Sequence, residues 1–189
     1  MKKLKIKTIY LGLRKGGSIM YPLILLFMRM YIIKKWMLKK VKSPFKKIYN
    51  HAFIVIEYED DSKFVLETNP NVTFTTFDGS HYGKGGKYEN NIILKEFIYD
   101  YNKINTTNNY HKLHDFILNK VINKKYEYMN FIYQAVYIIT GIWLGKTYDN
   151  KKWYCTELTA AFINDIDEEL FKHWYKENPL TLDLNENFK

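Results

Sequence analysis

The sequence contains a single cysteine, Cys155. No internal disulfide can form, which excludes a disulfide-stapled secreted framework and leaves a free thiol to be explained. Four prolines and nine glycines in 189 residues are too few for a collagen-like or low-complexity chain. No apolar run reaches the roughly 20 residues that span a bilayer. The longest, from Ile19 to Ile33, is interrupted by Pro22 and Arg29 and ends at Lys34 and Lys35. Arginine occurs only as Arg14 and Arg29 among 29 basic residues. Base-reading side chains are therefore scarce, and a specific nucleic-acid binder is disfavoured. Acidic residues are missing from the first 50 positions, which hold 14 of the basic ones. The net charge of +9 thus belongs to the first quarter of the chain.

What is present is ordinary globular composition, 47% apolar and 26% charged, and it predicts one compact domain over residues 1–189 with no need of metal staples. The excess of lysine, with 17 tyrosines, fits the codon bias of an AT-rich genome, viral or low-GC bacterial. Lys2, Lys3, Lys5 and Lys7 before Ile9-Tyr10-Leu11-Gly12-Leu13 imitate a signal peptide. Arg14-Lys15 cuts that run short and no small-residue cleavage site follows, so no cleavable signal peptide is expected. The expected location is cytoplasmic or virion- or host-cell-associated. Residues 18–40 form a basic, apolar helix with two readings. One is a largely buried core helix, which is preferred. The other is an interfacial helix presenting Lys34, Lys35, Lys39 and Lys40 to an anionic membrane surface, as peripheral association would require.

The pattern predicts a strand over 4–13, a turn at Gly16-Gly17 with Ser18 capping a helix that runs to Leu38, and a loop at Ser43-Pro44. The run His51 to Tyr58 reads as a strand covered on both faces. A turn over Glu59 to Ser62 leads back through Phe64-Val65-Leu66-Glu67 as a hairpin partner. Further strands are expected at 72–77 and 91–98. The loop His81 to Lys87 lacks the G-K-[ST] ending of a phosphate loop. From Tyr110 the pattern is helical, with Leu113, Phe116, Ile117 and Val121 on one stripe, and helices follow at 129–143, 153–164 and 168–176. Strands first and helices last give an α+β class.

Cys155 begins a helical pattern just after the polar turn Asp149-Asn150-Lys151-Lys152. A helix N-terminus lowers a thiol pKa and offers N–H groups to a developing oxyanion, although a lone cysteine is commonly an inert core thiol. His51 opens the most apolar strand and needs a hydrogen-bond partner there. A Cys–His pair supplies one, and Glu67 could orient the ring. Register decides whether it does. Pairing Tyr58 with Lys63 sets Glu67 on the wrong face, so the triad demands an odd-length turn or a bulge that brings Glu67 opposite residue 51, 53 or 55. No glycine stands in that turn to ease it. Glu57 is a weaker partner, about 20 Å along the strand from His51. His111 and His114 lie three apart but lack a third metal ligand. His81 stands in a loop within reach of a site, and His173 reads as structural.

Asn50-His51-Ala52-Phe53-Ile54-Val55, Val65-Leu66-Glu67, Tyr126-Glu127-Tyr128 and Tyr154-Cys155-Thr156-Glu157-Leu158 resemble the ordered motifs of circularly permuted NlpC-type cysteine hydrolases. The likeness is to their YiiX-like branch, which has poxviral members, and it runs from about residue 5 to 165. It implies a permuted papain-like fold, an antiparallel sheet packed against helices with the nucleophile helix near the C-terminus. It further implies Cys155 as nucleophile, His51 as general base and Glu67 as third polar residue, with Tyr126, Tyr128 and Tyr154 lining the cleft and no metal or organic cofactor. The N-C-E-H segment of lecithin retinol acyltransferase-like proteins, which share the permutation, is absent.

The leading expectation is a thiol-dependent hydrolase of amide or peptide bonds, a peptidase- or amidase-type enzyme acting on a peptide, amide or lipid-linked substrate. The alternatives are a membrane-associated lipid acyltransferase or lipid hydrolase on the same fold, and a non-enzymatic basic interaction protein.

Overall fold

A computed structural model describes residues 4–16, 21–45, 47–145, 152–166, 170–171 and 173–189. Ser18, expected as a helix cap, and Asp149 to Lys151 of the expected polar turn lie outside them. Five antiparallel strands form the central sheet: β1 (Ile6–Arg14), β2 (His51–Tyr58), β3 (Lys63–Thr68), β4 (Val72–Thr76) and β5 (Ile92–Glu96), in the order β4-β3-β2-β1-β5. The class is α+β. The central strand β2 is buried along its whole length. Period-two alternation sends Ala52, Ile54, Ile56 and Tyr58 into the main core, with Leu158 and Phe162 of helix α5 (Cys155–Ile166). It sends Phe53 and Val55 to the other face, where Tyr82 and Tyr88 cover them. A continuous apolar run is what such a doubly covered strand requires.

The β2–β3 hairpin has a three-residue turn, Glu59 to Asp61, closed by Tyr58 N–H to the Ser62 carbonyl at 2.9 Å. Asp61 takes the left-handed conformation, φ 61°. Aspartate visits that region more readily than most side chains, so the turn needs no glycine. The resulting register pairs Glu57 with Lys63 and Ile54 with Leu66.

Helix α1 (Tyr21–Met37) packs on α4 (Met129–Thr140). A second core forms there from Ile24, Met28 and Ile32, one stripe at four-residue spacing, with Ile48, Ile138 and Leu180. The preferred core-helix reading holds for that stripe alone, because Leu26, Met30, Ile33 and Met37 are exposed. Past α1, Lys39 adopts φ 56°, and Lys39 and Lys40 N–H bond back to the Trp36 and Lys35 carbonyls at 2.8 Å each. This is a Schellman stop with lysine in the usual glycine position.

The remaining elements are α2 (Tyr101–Ile104), α3 (Thr107–Asp115), β6 (Lys125–Tyr126), β7 (Lys152–Trp153) and α6 (Pro179–Leu184). α3 runs on into a π-turn over Phe116–Val121, and Leu113, Phe116, Ile117 and Val121 are all buried as expected. α4 stops three residues early because Gly141, at φ 79°, caps it. The helix expected at 168–176 falls partly outside the described residues, and Trp174–Lys176 within it is a single 3₁₀ turn. Among the described residues, no helix is long and apolar enough to cross a membrane.

Candidate active site

By alternation His51 belongs to the face opposite α5, and Cys155 sits at the first turn of α5. The two meet because the sheet opens between them. The β2–β3 ladder ends at Ile54 opposite Leu66. Two residues further, where Ala52 would meet Thr68, no ladder pair forms. Ala52 N–H bonds to the Cys155 sulfur instead, and Thr68 Oγ1 donates to the Trp153 carbonyl at 3.5 Å. The helix N-terminus fills this gap and brings the thiol to the imidazole.

His51, Glu67 and Cys155 are 4%, 6% and 1% exposed. The ring Nε2 of His51 lies 3.3 Å from Glu67 Oε2, and the ring is also hydrogen-bonded to Cys155. With Nε2 on the carboxylate, Nδ1 is the nitrogen left for sulfur. Glu67 is placed by register: continuing the ladder sets it opposite Phe53 and diagonal to His51, on the same face. The odd-length turn demanded by the sequence is the one observed.

Tyr126 and Tyr154 hydroxyls also reach the sulfur. Burial, with the neighbouring thiolate charge, holds both phenols well above their ordinary value. Tyr128 is 68% exposed. Its ring lies 4.8 Å from that of Tyr126 and lines the outside rather than the thiol. The motif around Cys155 is explained by helix start-up. Glu157 reaches back to accept the Tyr154 N–H at 3.1 Å and the Asn130 amide at 2.9 Å, one half of a capping box. Thr156 donates to the Glu177 carbonyl at 2.6 Å, and Thr159 to the Cys155 carbonyl at 2.9 Å.

Electrostatics follow from these contacts. Burial pushes the Cys155 thiol up, but the His51 hydrogen bond and charge, the Ala52 N–H and the Tyr126 hydroxyl outweigh it and hold the thiol below its ordinary 9.0. Burial likewise opposes a charged His51, yet Cys155 and Glu67 together raise it above 6.5. Burial raises Glu67, and His51, Tyr82 and Arg14 overcome that to hold it below 4.5. The arrangement favours a thiolate–imidazolium pair backed by a carboxylate.

Three participants were not expected from the sequence. Tyr82 donates to Glu67 Oε2 at 2.6 Å while its ring stacks on Phe53 at 4.0 Å and 4°. Arg14, buried, lies 3.5 Å from the Tyr82 hydroxyl and stacks 4.3 Å from the Tyr88 ring centroid. The third is the Ala52 N–H. A signal for Arg14 existed, since it is one of two arginines in a lysine-dominated chain and ends an apolar strand. Main-chain groups leave none. His81 is exposed and packs edge-on to Tyr88 instead of entering the site. Glu57 lies at the far end of β2, paired with Lys7 and Lys63. Lys34, Lys39 and Lys40 are exposed and Lys35 partly so. Among the described residues, no cluster of three or more His, Cys, Asp or Glu could hold a metal.

Tyr82→Phe is expected to cost about 1.5–3 kcal/mol, the worth of a hydrogen bond to a charged group. Because the folded Glu67 titrates below its ordinary 4.5, its contribution is present above that value and lost as pH falls through the folded one. The stability gap between wild type and variant, read by urea unfolding, should therefore shrink in acid. A gap independent of pH would show that the hydroxyl does not act through the carboxylate.

Comparison of the chain with protein-family models, with curated proteins and with solved structures finds no match in any of the three.

Proposed function

We propose that the protein is a thiol hydrolase of amide or peptide bonds on a permuted papain-like frame, with Cys155 as nucleophile, His51 as base and then acid, and Glu67 orienting the ring. The observation that carries the reading is the continuous chain from sulfur through imidazole to carboxylate, assembled from three separate elements at the N-terminus of a helix. A structural cysteine needs no such chain.

In the reaction, the thiolate attacks the carbonyl carbon and the oxygen takes up the negative charge. As charge leaves sulfur, the Ala52 N–H that held it is released as a donor for the oxyanion. His51 passes its proton to the departing amine, leaving a Cys155 thioester. The neutral ring then removes a proton from water, which attacks the thioester, and the acid departs as the thiolate–imidazolium pair is restored. Glu67, held by Tyr82, keeps Nε2 occupied so that Nδ1 stays on the sulfur. Tyr126, half-buried between the thiol and exposed Tyr128, is the side chain that gives way to substrate.

The test is reaction of the intact protein with an amide-directed electrophile at neutral pH, followed by peptide mass mapping. Labelling confined to Cys155 and faster than that of a free thiol is expected. Labelling no faster than free thiol would overturn the activated-nucleophile reading.

A further inference from the structure

Helix α1 is apolar on two opposite faces, and only one is covered. Ile24, Met28 and Ile32 pack inward. Leu23, Leu26, Met30, Ile33 and Met37, spaced alternately by three and four residues, form a second stripe on the other side, and all are exposed, Met37 to 65%. Its neighbour α4 adds exposed Ile132 and Ile139, and Phe45, just beyond α1, is 87% exposed. Such an uncovered apolar stripe marks an interaction surface.

The charge around this surface selects its occupant. Residues 21–48 carry eight basic side chains and no carboxylate, and residues 128–145 carry no charge at all. Among the described residues, Lys34, Lys39, Lys40 and Lys42 form no ion pair with a carboxylate. At the C-terminal end of α1, Lys40, Val41, Lys42, Ser43, Phe45 and Leu184 line an open groove of about 550 Å³, in which ammonium groups stand beside apolar side chains. That combination matches a lipid phosphate above an acyl chain. A second copy of the chain would bring basic surface against basic surface.

We infer that the outer face of α1, with Phe45 and the adjoining lysines, docks on an anionic phospholipid bilayer. The helix lies in the plane of the interface, with its second stripe among the acyl chains and its lysines at the headgroups. The docked face belongs to the helix whose inner side backs Tyr154: Ile24, Phe27 and Met28 line a small cavity with that tyrosine. The docked helix thus stands between the bilayer and Tyr154.

Vesicle flotation tests this, using the Cys155→Ala chain so that the result is independent of the proposed reaction. The protein should float with equimolar phosphatidylcholine and phosphatidylserine and remain behind with phosphatidylcholine alone. Lys39→Gln with Lys40→Gln should lower partitioning about 30-fold, the equivalent of about 1 kcal/mol for each basic charge near an anionic surface. Met30→Gln with Met37→Gln, at two exposed positions of the stripe outside the packed clusters, should abolish flotation while leaving the cooperative unfolding transition in place. Failure of the parent chain to float, or equal flotation of either variant, overturns the proposal. So does a concentration-dependent dimer in sedimentation that the same methionine exchanges dissolve while vesicles are ignored, since the stripe would then be a self-interface.

Discussion

Exchange of His51 for glutamine is expected to slow alkylation of Cys155 at pH 7 by up to about a hundredfold, because a thiol at its ordinary value of 9.0 is only about 1% ionised there. The direction follows from the contacts. Burial alone raises the thiol, and it is first the His51 hydrogen bond and charge that reverse it. Glutamine removes the charge, so the thiol returns toward its ordinary value, with the Ala52 N–H and Tyr126 hydroxyl still opposing burial. In the wild type the acid limb of the rate profile lies below that value, and in the variant it moves to the alkaline side. Amide hydrolysis should suffer more, by a further factor of about 10²–10⁴, since the variant also lacks the acid for the leaving amine. Iodoacetamide kinetics measured across the acid and alkaline range read the first effect, and single-turnover hydrolysis the second. Superimposable alkylation profiles would remove His51 from the site.

Phe53→Ala should cost about 3–5 kcal/mol, the range for deleting a fully buried phenyl ring. That is a large part of the roughly 5–15 kcal/mol that holds a typical domain folded. Phe53 is completely buried and stacked on Tyr82. On its other side it lies against bare backbone, since a Cβ at Gly12 would stand 2.2 Å from the ring. Gly12 has no side chain with which to fill the space, so the cavity term stays large. The urea midpoint should fall without a change in slope. The same loss frees Tyr82 from the ring that positions its hydroxyl, so Glu67 and His51 should loosen together. A cost below about 1 kcal/mol would mean that the cluster of Val55, Val65, Tyr82 and Tyr88 collapses around the gap.

Much of the site was legible because its residues stand on elements with strong local patterns. His51 begins a continuous apolar strand, and Cys155 opens a helix, so each announced its own environment. Glu67 needed one more inference, the parity of the turn, where Asp61 takes the left-handed conformation that a glycine would have eased. Tyr82 was not legible. It reaches Glu67 from the β4–β5 connection, and nothing at the level of spacing ties a loop tyrosine to a strand carboxylate fifteen residues earlier. The position of β5 was hidden for a similar reason. It skips its sequence neighbours to pair with β1, a choice made by long-range packing. The short α6 carried a readable capping signal at Asn178-Pro179 with Thr181 but too few residues to show a period. Helix α1 was ambiguous because apolar residues surround its axis, and composition does not reveal which of its stripes is covered.

The turn Glu59 to Asp61 lies on the surface, at the end of β2 remote from the thiol, and contributes no atom to the site. It nevertheless acts as a frame setter, because side chains along a strand alternate. With an odd number of turn residues, the carboxylate of β3 shares the imidazole's face. An even number would hand that position to Leu66 or Thr68 with every site residue still present. Register slips in this hairpin therefore behave like shifts in a reading frame: steps of two keep Glu67 on the imidazole's face, and steps of one turn it away.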